Sequence, residues 1–148
     1  MTPLASLSSQ EPDGEVLFVD ATWQDRPEWR EGDTWACYWG PSLVADAPPF
    51  PGAVVRTVET AGASGQTVEA LVTQDLPSAR LHRVAATTIV VGAHGMYLSV
   101  SDSHCAVQVE RGMYELEIWV DSAEPQLVTS VAFRLGNRNE RPETLSAR

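Results

Sequence analysis

Residues 113–120 read MYELEIWV, and their alternation decides the fold class. Tyr114, Leu116, Ile118 and Val120 fall on one side of an extended chain; Met113, Glu115, Glu117 and Trp119 fall on the other. Successive side chains of a strand point to opposite faces, so a period of two sets an apolar face on a core and a wet face outside. On that reading Glu115, Glu117 and Trp119 present an acidic, aromatic outer surface.

The same signal recurs on both sides of this stretch. Downstream, residues 121–126 turn the chain around Pro125, and residues 127–135 return with Leu127, Thr129, Val131, Phe133 and Leu135 on one face. Upstream, Arg111-Gly112 makes a tight turn, and a short strand from Cys105 aligns Cys105, Val107 and Val109. Residues 96–100 align Met96, Leu98 and Val100, and the turn Gly92-Ala93-His94-Gly95 separates them from the β-branched run 81–91. Residues 53–59 and 67–73 flank AGASGQ, which predicts a hairpin with a long loop. Residues 15–23 (EVLFVDATW) and 34–40 (TWACYWG) read as two further strands. Four prolines within 41–52 bar a regular element there. No apolar repeat of 3.6 residues survives for three turns, so the sequence predicts an all-β, antiparallel β-sandwich of roughly eight short strands. A single domain over residues 15–136 follows a loose lead-in over 1–14 and precedes a flexible tail over 137–148.

Charge is the most informative total. Twenty acids stand against ten bases, a net charge of −10, and every base is arginine. All-arginine usage with abundant Ala, Val and Gly points to a GC-rich bacterial genome. Eight of the acids lie between Glu11 and Asp33, against only Arg26 and Arg30. Such a field repels phosphate backbones and anionic lipid and attracts a basic protein. Residues 1–10 lack a basic start and a long apolar run, and no stretch is apolar enough to cross a bilayer, so a cytoplasmic location is expected.

Candidate chemistry is sparse. His94 and His104 are expected in turns at opposite ends of one strand, which would not bring both to one ion. His104 and Cys105 are neighbours on an extended chain and face opposite ways, which is wrong for a catalytic dyad. There is no nucleophile elbow and no lysine for a phosphate loop. Neither enzyme activity nor any metal or cofactor is expected. The aromatic residues suggest binding instead. Trp29 sits in an acidic loop with Asp25, Glu28, Glu31 and Asp33, and Trp119 sits with Glu115 and Glu117. Trp ringed by carboxylates suits a basic partner surface.

Residues 82–122, HRVAATTIVVGAHGMYLSVSDSHCAVQVERGMYELEIWVDS, resemble the competence-associated inhibitors of the DNA-uptake nuclease and immunity-protein-like sandwiches. The matching positions are Gly95, Val107, Gly112, Tyr114, Leu116 and Trp119, and the N-terminal half carries no match. The resemblance implies a β-sandwich that masks a nuclease, or an immunity protein against a secreted toxin. Carboxylates that take the place of phosphates make physical sense for that task. The reading is therefore an acidic cytoplasmic inhibitor or immunity protein that masks a basic partner through Asp25, Glu28, Trp29, Glu31, Asp33, Glu115, Glu117 and Trp119. The alternatives are an assembly module that self-associates through a sheet edge, and a small hydrolase or sugar-binding sandwich that uses Trp29 and the carboxylates.

Overall fold

The computed structural model describes residues 3–10, 12–21, 35–38, 52–59, 66–101, 103–124 and 127–136. Ten strands run through them: β1 (Ala5–Ser9), β2 (Asp13–Asp20), β3 (Trp35–Tyr38), β4 (Gly52–Glu59), β5 (Val68–Thr73), β6 (His82–Val91), β7 (Met96–Val100), β8 (Ser103–Val107), β9 (Gly112–Val120) and β10 (Ser130–Leu135). They form two five-stranded sheets packed face to face, β1-β5-β10-β9-β6 and β3-β4-β2-β7-β8. The fold is a β-sandwich, as the alternation predicts.

The core lies between the inward residues of both sheets. Tyr114, Leu116, Ile118 and Val120 of β9 are all buried, with Val131, Phe133 and Leu135 of β10 beside them. From the other sheet come Val16 and Phe18 of β2 and Met96, Leu98 and Val100 of β7. Phe18 and Phe133 meet between the sheets with ring centroids 5.4 Å apart and planes tilted by 31°. That offset suits two aromatic quadrupoles.

Several expectations are corrected. The lead-in contains a strand: β1 pairs antiparallel with β5, from Ala5↔Val72 to Ser9↔Val68, and the Leu4 amide donates to the Val72 carbonyl at 2.7 Å. Its sequence ASLSS is too serine-rich to read as a strand; the partner's ladder makes it one. Residues 53–59 and 67–73 do not form a hairpin. β4 pairs with β2 and β3 while β5 pairs with β1 and β10, so the chain changes sheet between them. Nor is every pair antiparallel, because β5 and β10 run parallel in the middle of their sheet. Parallel strands favour cover on both faces. Thr73 and Ala132, which point away from the sandwich interior, are indeed fully buried. The last strand starts at Ser130, and Leu127 is 58% exposed. Asp121 sets this start: its Oδ1 accepts from the Thr129 and Ser130 amides at 3.0 and 3.1 Å, and its Oδ2 from the Thr129 hydroxyl at 2.6 Å. Met113, expected outside, is only 7% exposed.

Two glycines answer to backbone demands. Gly14, at φ +92°, lies where the β2–β4 register shifts between Asp13 and Glu15, a bulge that favours the left-handed region. Gly95, at φ +75°, closes the turn into β7, where its amide donates to the Gly92 carbonyl at 3.3 Å. The tail over 137–148 lies outside the described residues.

Candidate functional site

β9 is flanked by β10 and β6, so its outer side chains gain neighbours that sequence spacing does not show. Trp119 stands opposite Ala132 on β10 and Arg83 on β6. Glu117 stands opposite Arg134 and Ala86, and Glu115 opposite Thr88. The resulting surface is a row of long polar side chains across three strands, with one indole set among them.

Glu117 is its centre. Arg83 Nη1 lies 2.9 Å from Glu117 Oε2, and Arg134 Nη1 lies 3.0 Å from Glu117 Oε1. The indole Nε1 of Trp119 also donates to Oε1, at 3.3 Å. Both carboxylate oxygens are thus occupied, and two guanidiniums face one carboxylate. Burial pushes the Glu117 carboxyl up, but the hydrogen bonds from Arg83, Arg134 and Trp119 together outweigh it and hold the group below its ordinary range. Glu117 is therefore part of a locally cationic cluster and not a free acid on an acidic face. Its chemical effect is to fix the indole and the Arg83 guanidinium, which is 58% exposed.

This arrangement makes stability depend on Glu117 in a defined pH window. A carboxyl held below its unfolded pKa stabilises fully above that value and loses the contribution as pH falls through the folded value. Glu117→Gln is expected to cost about 1 kcal/mol at neutral pH, the modest size that solvent screening of a partly exposed pair allows. The gap from wild type should narrow as the pH is taken from neutral to below the ordinary carboxylate range, because wild-type Glu117 then protonates as well. Urea denaturation at both pH values measures it, and a gap of equal size at both would show that the carboxylate charge is not what stabilises.

The other expected residues divide. Glu115 is exposed and Trp119 half-buried, on the same face as Glu117. Asp25, Glu28, Trp29, Glu31 and Asp33 lie outside the described residues. Arg83 and Arg134 are missing from the sequence reading. They stand 34 and 17 positions from Glu117, and only register brings them to it. A signal exists for Arg134, which interrupts the inward run between Phe133 and Leu135 and so must point out.

The histidines also differ from expectation. His104 is on strand β8 and not in a turn, and it lines the same cleft as His94. Among the described residues no group of three His, Cys, Asp or Glu side chains is placed to hold a metal ion. His104 is exposed and Cys105 half-buried against the core, the opposed orientations expected of strand neighbours.

Among the described residues no helix is long and apolar enough to cross a membrane. The sequence matches no known family model and no curated protein. Among solved structures, the fold is similar to that of ComJ from Bacillus subtilis, described as the inhibitor of the DNA degrading activity of NucA. The superposition has a TM-score of 0.57 and covers 92% of this chain and 97% of that one, at 8% sequence identity. At that identity the likeness establishes a shared fold, and it extends well beyond residues 82–122.

Proposed function

We propose that this protein is an inhibitor or immunity protein that masks a basic partner, a nuclease above all. The observation that carries the reading is the likeness of fold to a nuclease inhibitor along almost the full length of both chains. Charge supports it. A net charge of −10, concentrated between Glu11 and Asp33, draws a basic partner and repels the partner's own nucleic-acid substrate. In this reading Asp25, Glu28, Glu31 and Asp33 steer the approach and Trp29 anchors it. On β9, Glu115 supplies an exposed carboxylate and Trp119 a half-buried aromatic anchor that Glu117 holds in place. Burial of a pre-oriented indole at an interface costs little conformational entropy. The protein acts by occlusion and performs no chemistry of its own in the cytoplasm.

The test is a titration of purified protein into the DNA-degrading activity of a source-cell extract. A linear fall to a plateau at a fixed molar ratio, relieved by high salt, is the expected result. Undiminished DNA degradation at large excess, with light scattering showing a closed oligomer, would transfer the assignment to an assembly module.

A further inference from the structure

The outer face of the second sheet carries a cleft of about 440 Å³ at its β7–β8 edge. In β7, Met96, Leu98 and Val100 turn into the core, which leaves Tyr97 and Ser99 outside. The β7–β8 register sets Tyr97 opposite Ala106 and Ser99 opposite His104. The Tyr97 and His104 rings meet edge to face, with centroids 6.1 Å apart and planes at 61°. They form an aromatic corner. His94 joins from the Gly92–Gly95 turn, and Gln108 and Arg111 from the connection into β9.

What lines this cleft is unusual for the chain. It gathers two of three histidines and an arginine, and among the described residues no acid lines it. His94, His104 and Arg111 are exposed, and a guanidinium has five N–H donors, so Arg111 can hold a neighbour and still reach a ligand. By strand register, His94, Gln108 and Arg111 lie toward the Met96–Val107 end of the cleft, and Tyr97 and His104 lie further along it. Donors of this kind suit an anion, and an aromatic corner suits a planar ring.

We infer that this cleft binds a small planar organic anion of the nucleoside monophosphate class. Its volume fits one such molecule. Overall charge selects for size: a polyanionic strand carries many charges into the field of the whole chain, whereas one phosphate beside His94, His104 and Arg111 carries far fewer. The inference does not depend on the inhibitor reading, because its readout involves no nuclease.

The experiment is an NMR titration of the full chain with three probes: adenosine monophosphate, inorganic phosphate and adenosine. Adenosine monophosphate should give saturable shifts at His94, Tyr97 and His104. Phosphate and adenosine, each offering half of the recognition, should bind about 10-fold more weakly or worse. His104→Ala and Arg111→Gln should each lower affinity for adenosine monophosphate by about 5-fold or more. His82→Ala, on the other sheet, should leave it unchanged. Thermal melting confirms that the variants fold, which is expected because these side chains are exposed. Three results would each overturn the inference: no saturable shift at the cleft, inorganic phosphate binding as tightly as the nucleotide, or an oligonucleotide binding more tightly than either.

Discussion

Phe133→Ala is expected to destabilise the protein by about 3–5 kcal/mol, the range for removing a large aromatic from a packed core. Phe133 is fully buried at the middle of β10, opposite Val72 on β5 and Ile118 on β9, and its ring meets Phe18 across the sandwich. Truncation removes contacts to both neighbouring strands and to the facing sheet together, and strands fixed in two ladders cannot shift to fill the space. Domains of this size are stable by only about 5–15 kcal/mol, so the variant should be partly unfolded at modest urea concentrations. Phe133→Leu keeps most of the volume and should cost about 1 kcal/mol. Phe18→Ala combined with Phe133→Ala should cost less than the sum of the two, since the second truncation enlarges a cavity already made. Urea denaturation measures all three. A loss below about 1 kcal/mol for Phe133→Ala would contradict the packing of the two sheets around this pair.

Reversal of two acids should have the largest effect on capture of a partner. If Glu28 and Glu31 steer a basic protein, the double variant Glu28→Arg, Glu31→Arg should slow association at low salt by about 10-fold or more, within the range of electrostatic steering. The difference should shrink as ionic strength rises, because the screening length falls to about 3 Å at 1 M salt. Dissociation should change far less, since rim charges act mainly on the encounter. Glu117→Gln provides the contrast. It changes the net charge by one unit, against four for the double reversal, and does so where Arg83 and Arg134 already outnumber the carboxylate, so its association rate should fall far less. Stopped-flow mixing at two salt concentrations separates these cases. Equal rates for wild type and the double variant would remove the steering role of the acidic loop.

How far the candidate site can be read from the sequence differs residue by residue. Trp119 and Glu117 sit on the outer face of β9 because alternation is a local property of an extended chain. Whether Glu117 is a free acid is another matter, since that depends on which strands flank β9 and in what register. A shift of one residue in β6 or β10 would turn Arg83 or Arg134 away from it. Met113 shows the same limit: alternation assigns its side of the strand, and burial follows from what covers that side. His104 is on a strand and not in a turn because a four-residue polar run, Ser101 to His104, is partly absorbed by the β7–β8 ladder.

The sequence by itself determined the fold class and the inward faces of most strands, because a period-two pattern in 113–120 and 131–135 can bury its apolar residues only as a sheet. It also determined the overall charge, because that is a sum over residues and independent of their arrangement. Tertiary structure alone decided that β4 and β5 belong to different sheets, that β1 exists, and that β5 lies parallel to β10. It also decided that Glu117 is paired with two arginines, and that His94 and His104 share a cleft. The division has one physical cause. Side-chain direction along a strand is set by neighbours one and two residues away, whereas strand pairing is set by contacts between segments tens of residues apart, whose energies no local pattern records.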